Sequence, residues 1–327
     1  MKMSRKSLDR EKQEDELSII EHPSDIIGGF GPLQQNILIY LIVMYMVAPF
    51  NNNHIVFTAP KADFYCVDID PRTGNTVNLT NSCTVGNYSG APLCTKFEHD
   101  RSFHKRTLVN TFDLVCSKAW YPSFSQTMHQ FGYAVSGILL GVISDKKGRF
   151  FCAKLAICLE IIAGLGQAFS PNIYFYFITR FLIGIAAYGR FLNGYVLVAE
   201  WVGPKIRGKM SAVYELGWFV GKILLPLVYY YVPDYFAVQL GTTGYETLLF
   251  IGYIYIVKES PRWQLTHGKF DEAKDILKKT ALRKGKYTEK EIDERIEKLT
   301  DFTLKEHEKL RQVSLIISIT FIILIAF

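Results

Sequence analysis

Three signatures of enzyme chemistry are missing from this 327-residue sequence: a phosphate-binding loop, an HExxH pair and a nucleophile elbow. Their absence removes the common routes to nucleotide hydrolysis, zinc-dependent peptide cleavage and serine-type acyl transfer. GGFG at 28–31 lacks phosphate-loop spacing and reads as a flexible entry to a helix. Charge is missing too, but only locally. The chain is 21% charged and 49% hydrophobic, like a soluble protein, yet the apolar residues come in blocks. Each block is roughly 18–28 residues long, enough to cross a bilayer as a helix. They cover 33–50, 124–143, 151–169, 172–199, 210–231 and 236–257, and a seventh run, 313–327, reaches the last residue.

The first 25 residues carry mixed charge and no short apolar core with a small-residue cleavage site. The expectation is that no signal peptide is removed and that the first span directs insertion. Lys and Arg are absent from the tight connections around Ser170–Pro171 and Val232–Asp234. The other two short connections carry Lys146, Lys147 and Arg149, and Lys205, Arg207 and Lys209. This asymmetry places the cationic loops and the N-terminus (1–32) in the cytoplasm. The net charge of +6 therefore reports topology and implies no nucleic acid partner.

Segment 51–123 is then extracellular. It holds Cys66, Cys83, Cys94 and Cys116 and the acceptor sequons at Asn78 and Asn87. Oxidising surroundings favour disulfides over a metal site at Cys94, His99 and His104, so no metal or cofactor is expected. Four cysteines allow three pairings, which remain open. Cys152 and Cys158 read as packing residues of the third span. Segment 258–312 reads as a cytoplasmic helical connection, with charged amphipathic stretches such as FDEAKDILKK.

GVISDKKGRF at 141–150 sets an acid at the C-terminal end of an inward-running helix. The negative helix end repels a carboxylate, so Asp145 needs a partner such as Arg149. Gly148 permits chain reversal, and Gly141 permits another backbone to approach. The bare alternative, anchoring by Lys146, Lys147 and Arg149, explains neither the acid nor the glycines. The stretch resembles the loop signature G-x-x-x-D-[RK]-x-G-[RK] of the major facilitator superfamily. Arg180-x-x-x-Gly184, Glu200 seven residues before Arg207, and Glu259-Ser-Pro-Arg262 resemble further elements of that superfamily.

Sugar porters share the last two features but lack a cysteine-rich loop between the first two spans. That loop and IIGGFGPLQQ at 26–35 resemble the organic cation, organic anion and carnitine transporters, solute carrier family 22. The sequence departs from that pattern in having four loop cysteines rather than six and Tyr235-Phe236 in place of Trp-Arg. It also ends within a seventh span where those carriers have twelve. The resemblance implies an all-α membrane protein: the N-terminal six-helix bundle of a major facilitator carrier plus an incomplete seventh span. It implies a plasma-membrane location, a small organic ion as substrate, and a cytoplasmic gate of Gly141, Asp145, Gly148, Arg149, Glu200, Arg207, Glu259 and Arg262. The partner would be the C-terminal half or a full-length carrier. Besides transport, the alternative is a truncated, non-transporting binder or regulator of such a carrier.

Ionisable residues within spans are functional candidates by default. From the cytoplasmic ends, Glu160 lies ~14 Å deep and Arg190 ~15 Å; Lys222 lies ~21 Å deep and Glu246 ~18 Å. Each set sits on consecutive antiparallel helices, which predicts the pairs Glu160–Arg190 and Lys222–Glu246. Arg190 reaching Glu215 instead is the competing arrangement. Glu215, ~10 Å deep, has no obvious cation. Phe191 and Tyr195 share a helix face, and Trp218 lies one turn beyond Glu215. The resemblance makes Phe191, Asn193, Tyr195, Glu215 and Trp218 the candidate substrate contacts. A carboxylate among ring faces suits an organic cation over an anion or zwitterion; plain packing of the rings is the competing reading.

Overall fold

The computed structural model describes residues 22–305 except 28–29, 61–62, 71–73, 87, 89–90 and 286. The run 313–327 and the sequon asparagine Asn87 lie outside the described residues.

A short helix α1 (Pro23–Ile27) leads to α2 (Pro32–Tyr45). Pro32 occupies the first helical position, where its missing N–H costs nothing, and the Gln34 side chain accepts from Gly31 N at 3.0 Å. After α2 come α3 (Ala48–Asn52) and α4 (Ile55–Thr58). Segment 51–123 is not helical throughout. It forms a three-stranded antiparallel sheet, β1 (Phe64–Ile69), β2 (Thr76–Thr80) and β3 (Phe97–His99), in the order β2-β1-β3. Cys66 faces Leu79 and Phe97 across its two neighbours. Disulfides Cys66–Cys94 and Cys83–Cys116 select one of the three pairings. Asn78 is exposed on β2.

After α5 (Leu108–Phe112) the long helices begin: α6 (Tyr121–Lys147), α7 (Arg149–Ala168) and α8 (Ile173–Trp201). Next are α9 (Arg207–Tyr214), α10 (Leu216–Tyr231) and α11 (Tyr235–Ile256). Side chains of Asn172 and Asp234 cap α8 and α11 by accepting from the first-turn amides. Among the described residues, four helical stretches are long and apolar enough to cross a membrane: Pro32–Asn52, α7, α8 and Arg207–Tyr231. α6 and α11 are equally long but carry polar residues, including Ser125, His129, Ser136, Thr243 and Glu246, that are turned inward and buried.

The Tyr235-Phe236 departure has a local counterpart. Tyr235 N donates to Arg106 O at 3.1 Å, and the Arg106 guanidinium lies 4.9 Å from the Phe236 ring centre. The cysteine-bearing segment is thereby tied to the α10–α11 turn. At the opposite end, α12 (Pro261–Thr266), α13 (Phe270–Lys284) and α14 (289–305) pack with α1. Ser260 caps α12 through Trp263 N at 3.3 Å, and Gly285, at φ 67°, ends α13.

Candidate functional site

Three groups of side chains stand out, at the middle of the bundle, at its α12–α14 end, and in the aromatic cluster of α2 with α8–α10.

In the middle, Arg190 on α8 holds Glu160 on α7 through two bonds, Nε–Oε2 at 2.7 Å and a second guanidinium nitrogen to Oε1 at 3.1 Å. Its remaining nitrogen donates to Met44 O at 3.1 Å. Asn51 Nδ2 donates to Glu160 Oε1 at 2.8 Å and to Glu246 Oε1 at 3.1 Å. All four residues are at most 5% exposed. Arg190 therefore meets Glu160 and not Glu215. The expected Lys222–Glu246 pair does not form. Lys222 is exposed, with its ammonium 5.2 Å from the Trp218 ring centre, while Glu246 points inward to Asn51. Equal depth along two helices does not set their rotation about their own axes, which is why the sequence misassigned this pair.

Asn51 was missed entirely. It sits in a polar run that ends an apolar block, with no signal separating it from its neighbours. Its carbonyl also accepts from Arg180 at 2.7 Å, and Arg180 donates on to Gln126 Oε1 at 2.8 Å. One residue thus links both buried cations.

At the α12–α14 end, Arg149 meets Asp145 at 3.2 Å and Glu200 at 3.2 Å, and donates to Ser144 O at 3.0 Å. The partner of Glu200 is therefore Arg149; Arg207 instead donates to Ala199 O at 3.1 Å. Glu259 accepts from the amides of Arg149 and Phe150 at 3.1 Å, placing its carboxylate on the positive start of α7. Burial raises the Glu259 carboxyl above the ordinary carboxylate range, opposed by those amide donors. Gly148 adopts φ 102°, and any side chain there would strike the Glu259 carboxylate. Gly141 is a correction, because a Cβ added to it meets nothing within 4 Å. No backbone approaches it among the described residues.

His22, buried beneath this cluster, is pushed down to about 4 by burial and by the nearby cations Arg207 and Arg262. An unfolded histidine titrates near 6.5. Its folded value is lower, so the stability it contributes is complete above pH ~6.5 and is lost as pH falls toward 4. The loss is on the order of 2–3 kcal/mol. Protection of the Ile26 and Ile27 amides, both residues at most 1% exposed, from deuterium exchange, taken relative to the intrinsic rate at each pH, is expected to fall between pH 7 and pH 5. His22→Asn should flatten that dependence; an unchanged profile in the parent protein would refute it.

In the third group, Tyr45 and Tyr214 are buried and stack on each other at 4.8 Å, and the half-buried Phe191 and Trp218 flank Tyr45 at 5.2 and 5.8 Å. Tyr195 adjoins Phe191 at 6.1 Å and is 37% exposed. Glu215 sits at the α9–α10 junction, half-buried, with no ion pair among the described residues. It lies near enough to the Tyr45 and Tyr214 hydroxyls to act on them electrostatically. Tyr45 and Tyr214 were not foreseen, although Tyr214 immediately precedes Glu215. Asn193 is a correction. It is 1% exposed and donates to Gly189 O at 2.7 Å. Two residues along a helix is about 200° of rotation, so it faces away from Phe191 and Tyr195.

The model of the sugar (and other) transporter family matches residues 87–326. The organic cation transporter protein of Drosophila melanogaster is 28% identical over 280 residues, covering 78% of this chain and 51% of that protein. Solute carrier family 22 member 3 of Mus musculus is 34% identical over 181 residues, 55% of this chain and 33% of that protein. The chain thus spans about half the length or less of these relatives. The proton:xylose symporter XylE bound to 6-bromo-6-deoxy-D-glucose superposes at TM-score 0.59 and 16% identity, over 82% of this chain and 52% of that one. That likeness establishes the major facilitator fold. Apolar helices of spanning length and a family of transporters rather than enzymes identify a membrane protein: the chain belongs to the sugar (and other) transporter family.

Proposed function

We propose that the chain is the N-terminal half of a carrier that moves organic cations across the plasma membrane by alternating access. The observation that carries this reading is Glu215, half-buried and without an ion partner among the described residues, beside the rings of Tyr45, Tyr214 and Trp218. A carboxylate with ring faces around it attracts a bulky, weakly hydrated cation by charge and by cation–π contact together. The cluster of Asp145, Arg149, Glu200 and Glu259 would close the cytoplasmic side. Topology follows the positive-inside rule, with the disulfide-bonded segment outside and glycans at Asn78 and Asn87. The similarity to organic cation transporters supports the substrate class.

Glu215→Gln should reduce uptake of a labelled tetraalkylammonium about 10-fold or more at unchanged surface expression, equivalent to ~1.4 kcal/mol of lost attraction. Equal uptake by the variant would overturn the assignment. One observation favours a second reading. Lys222 is not paired with Glu246; its ammonium lies 5.2 Å from the half-buried Trp218 ring, which is one turn beyond Glu215, a spacing of opposite charges that suits a zwitterion. Under that reading, Lys222→Gln reduces zwitterion uptake and spares the cation. No uptake of any organic ion by cells expressing the chain would favour a non-transporting binder or regulator.

A further inference from the structure

A groove of about 520 Å³ opens where α1, the start of α2 and α13 meet. Its lining shares no residue with the aromatic cluster or the Arg149 cluster, although Lys258 directly precedes Glu259. Its floor is apolar, formed by Ile27, Leu33 and Ile276, and its rim carries Lys258, Lys279 and Arg283. The stem of Lys284 borders it, 3.9 Å from where a Cβ on Gly31 would stand. Glu272 and Asp275 also line it. Lys279 neutralises Asp275 at 2.7 Å, and Glu272 accepts from Gln264 at 3.1 Å. Lys258 and Arg283 have no ion pair among the described residues.

The position of the groove adds a second constraint. α2 starts at Pro32 and α11 ends at Ile256, and the two are in contact through the Tyr40 hydroxyl, which donates to Leu249 O. The groove lies at the level where both helices leave the apolar layer. Ile39 on α2 and Ile254 and Tyr255 on α11, on the two helices that leave from this level, are exposed. A site with a cationic rim, an apolar floor and an adjoining greasy flank matches a molecule with an anionic head and hydrocarbon tails.

We infer that this groove holds the headgroup of an anionic phospholipid of the cytoplasmic leaflet, its phosphate at Lys258 and Arg283 and its acyl chains along α2 and α11. The inference rests on the proposed topology, which puts this end of the bundle inside, where anionic lipids are concentrated. Bound lipid would pin α13 to the start of α2. Each cation near an anionic surface is worth about 5-fold in affinity, so removing both should cost about 25-fold.

The test is native mass spectrometry of the full chain in detergent, titrated with phosphatidylserine or phosphatidylcholine. Phosphatidylserine should be retained in preference. Lys258→Gln/Arg283→Gln should lose that preference, and the distant control Lys290→Gln/Lys298→Gln should keep it. Equal retention of both lipids, or an unaffected double variant, overturns the site. So does displacement by glycerophosphoserine at the concentration of the lipid, since the ligand would then be a soluble anion. Labelling of Lys290→Cys from each side of the membrane reports topology separately. Labelling only from inside supports the leaflet assignment; labelling from outside overturns that assignment whatever the lipid titration shows.

Discussion

Arg190→Met is expected to be the most damaging single substitution in the bundle. The guanidinium makes two bonds to Glu160 and one to Met44 O. Removing it leaves two carboxylates, Glu160 and Glu246, converging on one amide with no cation beside them. Breaking a buried pair by deleting one partner costs about 3–5 kcal/mol, mostly for the stranded charge. In a detergent-solubilised melt this should appear as a loss on the order of 10 °C, and in cells as retained, immature protein. Arg190→Lys should fall between, because an ammonium supplies the charge without the fork. The triple variant Glu160→Gln/Arg190→Met/Glu246→Gln should recover much of the loss, since no charge is then left unpaired. A single variant that melts within ~1 °C of the parent would show that the cluster does not hold the helices together.

The second large effect is steric. α6 and α8 cross with Gly132 and Gly184 at the contact, and a Cβ at either would overlap backbone of the other helix, Phe181 O or His129 O. Backbone this close cannot yield as a flexible side chain would. Small residues at such crossings let helices approach where lipid provides no hydrophobic drive between them. Gly184→Leu should separate α6 from α8 and lose surface protein by about 10-fold or more, from overpacking of roughly 1–3 kcal/mol plus the lost contact. Gly141→Leu, on the same helix as Gly132 but facing open space, is the control and should leave folding unchanged. Glycosylated surface protein and protease resistance measure both. If Gly184→Leu matches the parent, the crossing is not the constraint described.

The contrast between these glycines shows where reading the sequence succeeded and where it did not. Gly148 was assigned correctly as a reversal point, because a positive φ is a local requirement and the chain turns between two helices there. Gly141 was assigned a backbone contact that the structure does not contain, and the Gly132–Gly184 contact was not foreseen. Both depend on which helix lies opposite, which no stretch of ten residues records. The charges divide in the same way. Asp145–Arg149 is an i,i+4 pair and was legible. Arg149–Glu200 spans two helices and was not. Glu160–Arg190 was found from depth, whereas Lys222–Glu246 failed on rotation. The three-stranded sheet of segment 51–123 was not foreseen, and its four cysteines permitted three pairings equally.

By itself the sequence determined where apolar helices run, where they stop, and which ionic and aromatic residues lie at comparable depth. Those properties follow from local composition and a rise of about 1.5 Å per residue. The tertiary structure alone decided which of those residues touch: Asn51 between two buried cations, Tyr45 on Tyr214, Asn193 turned away, Lys222 turned out. Contact between helices depends on the rotation of each about its axis and on how closely backbones approach, and these are settled by all the packing surfaces at once.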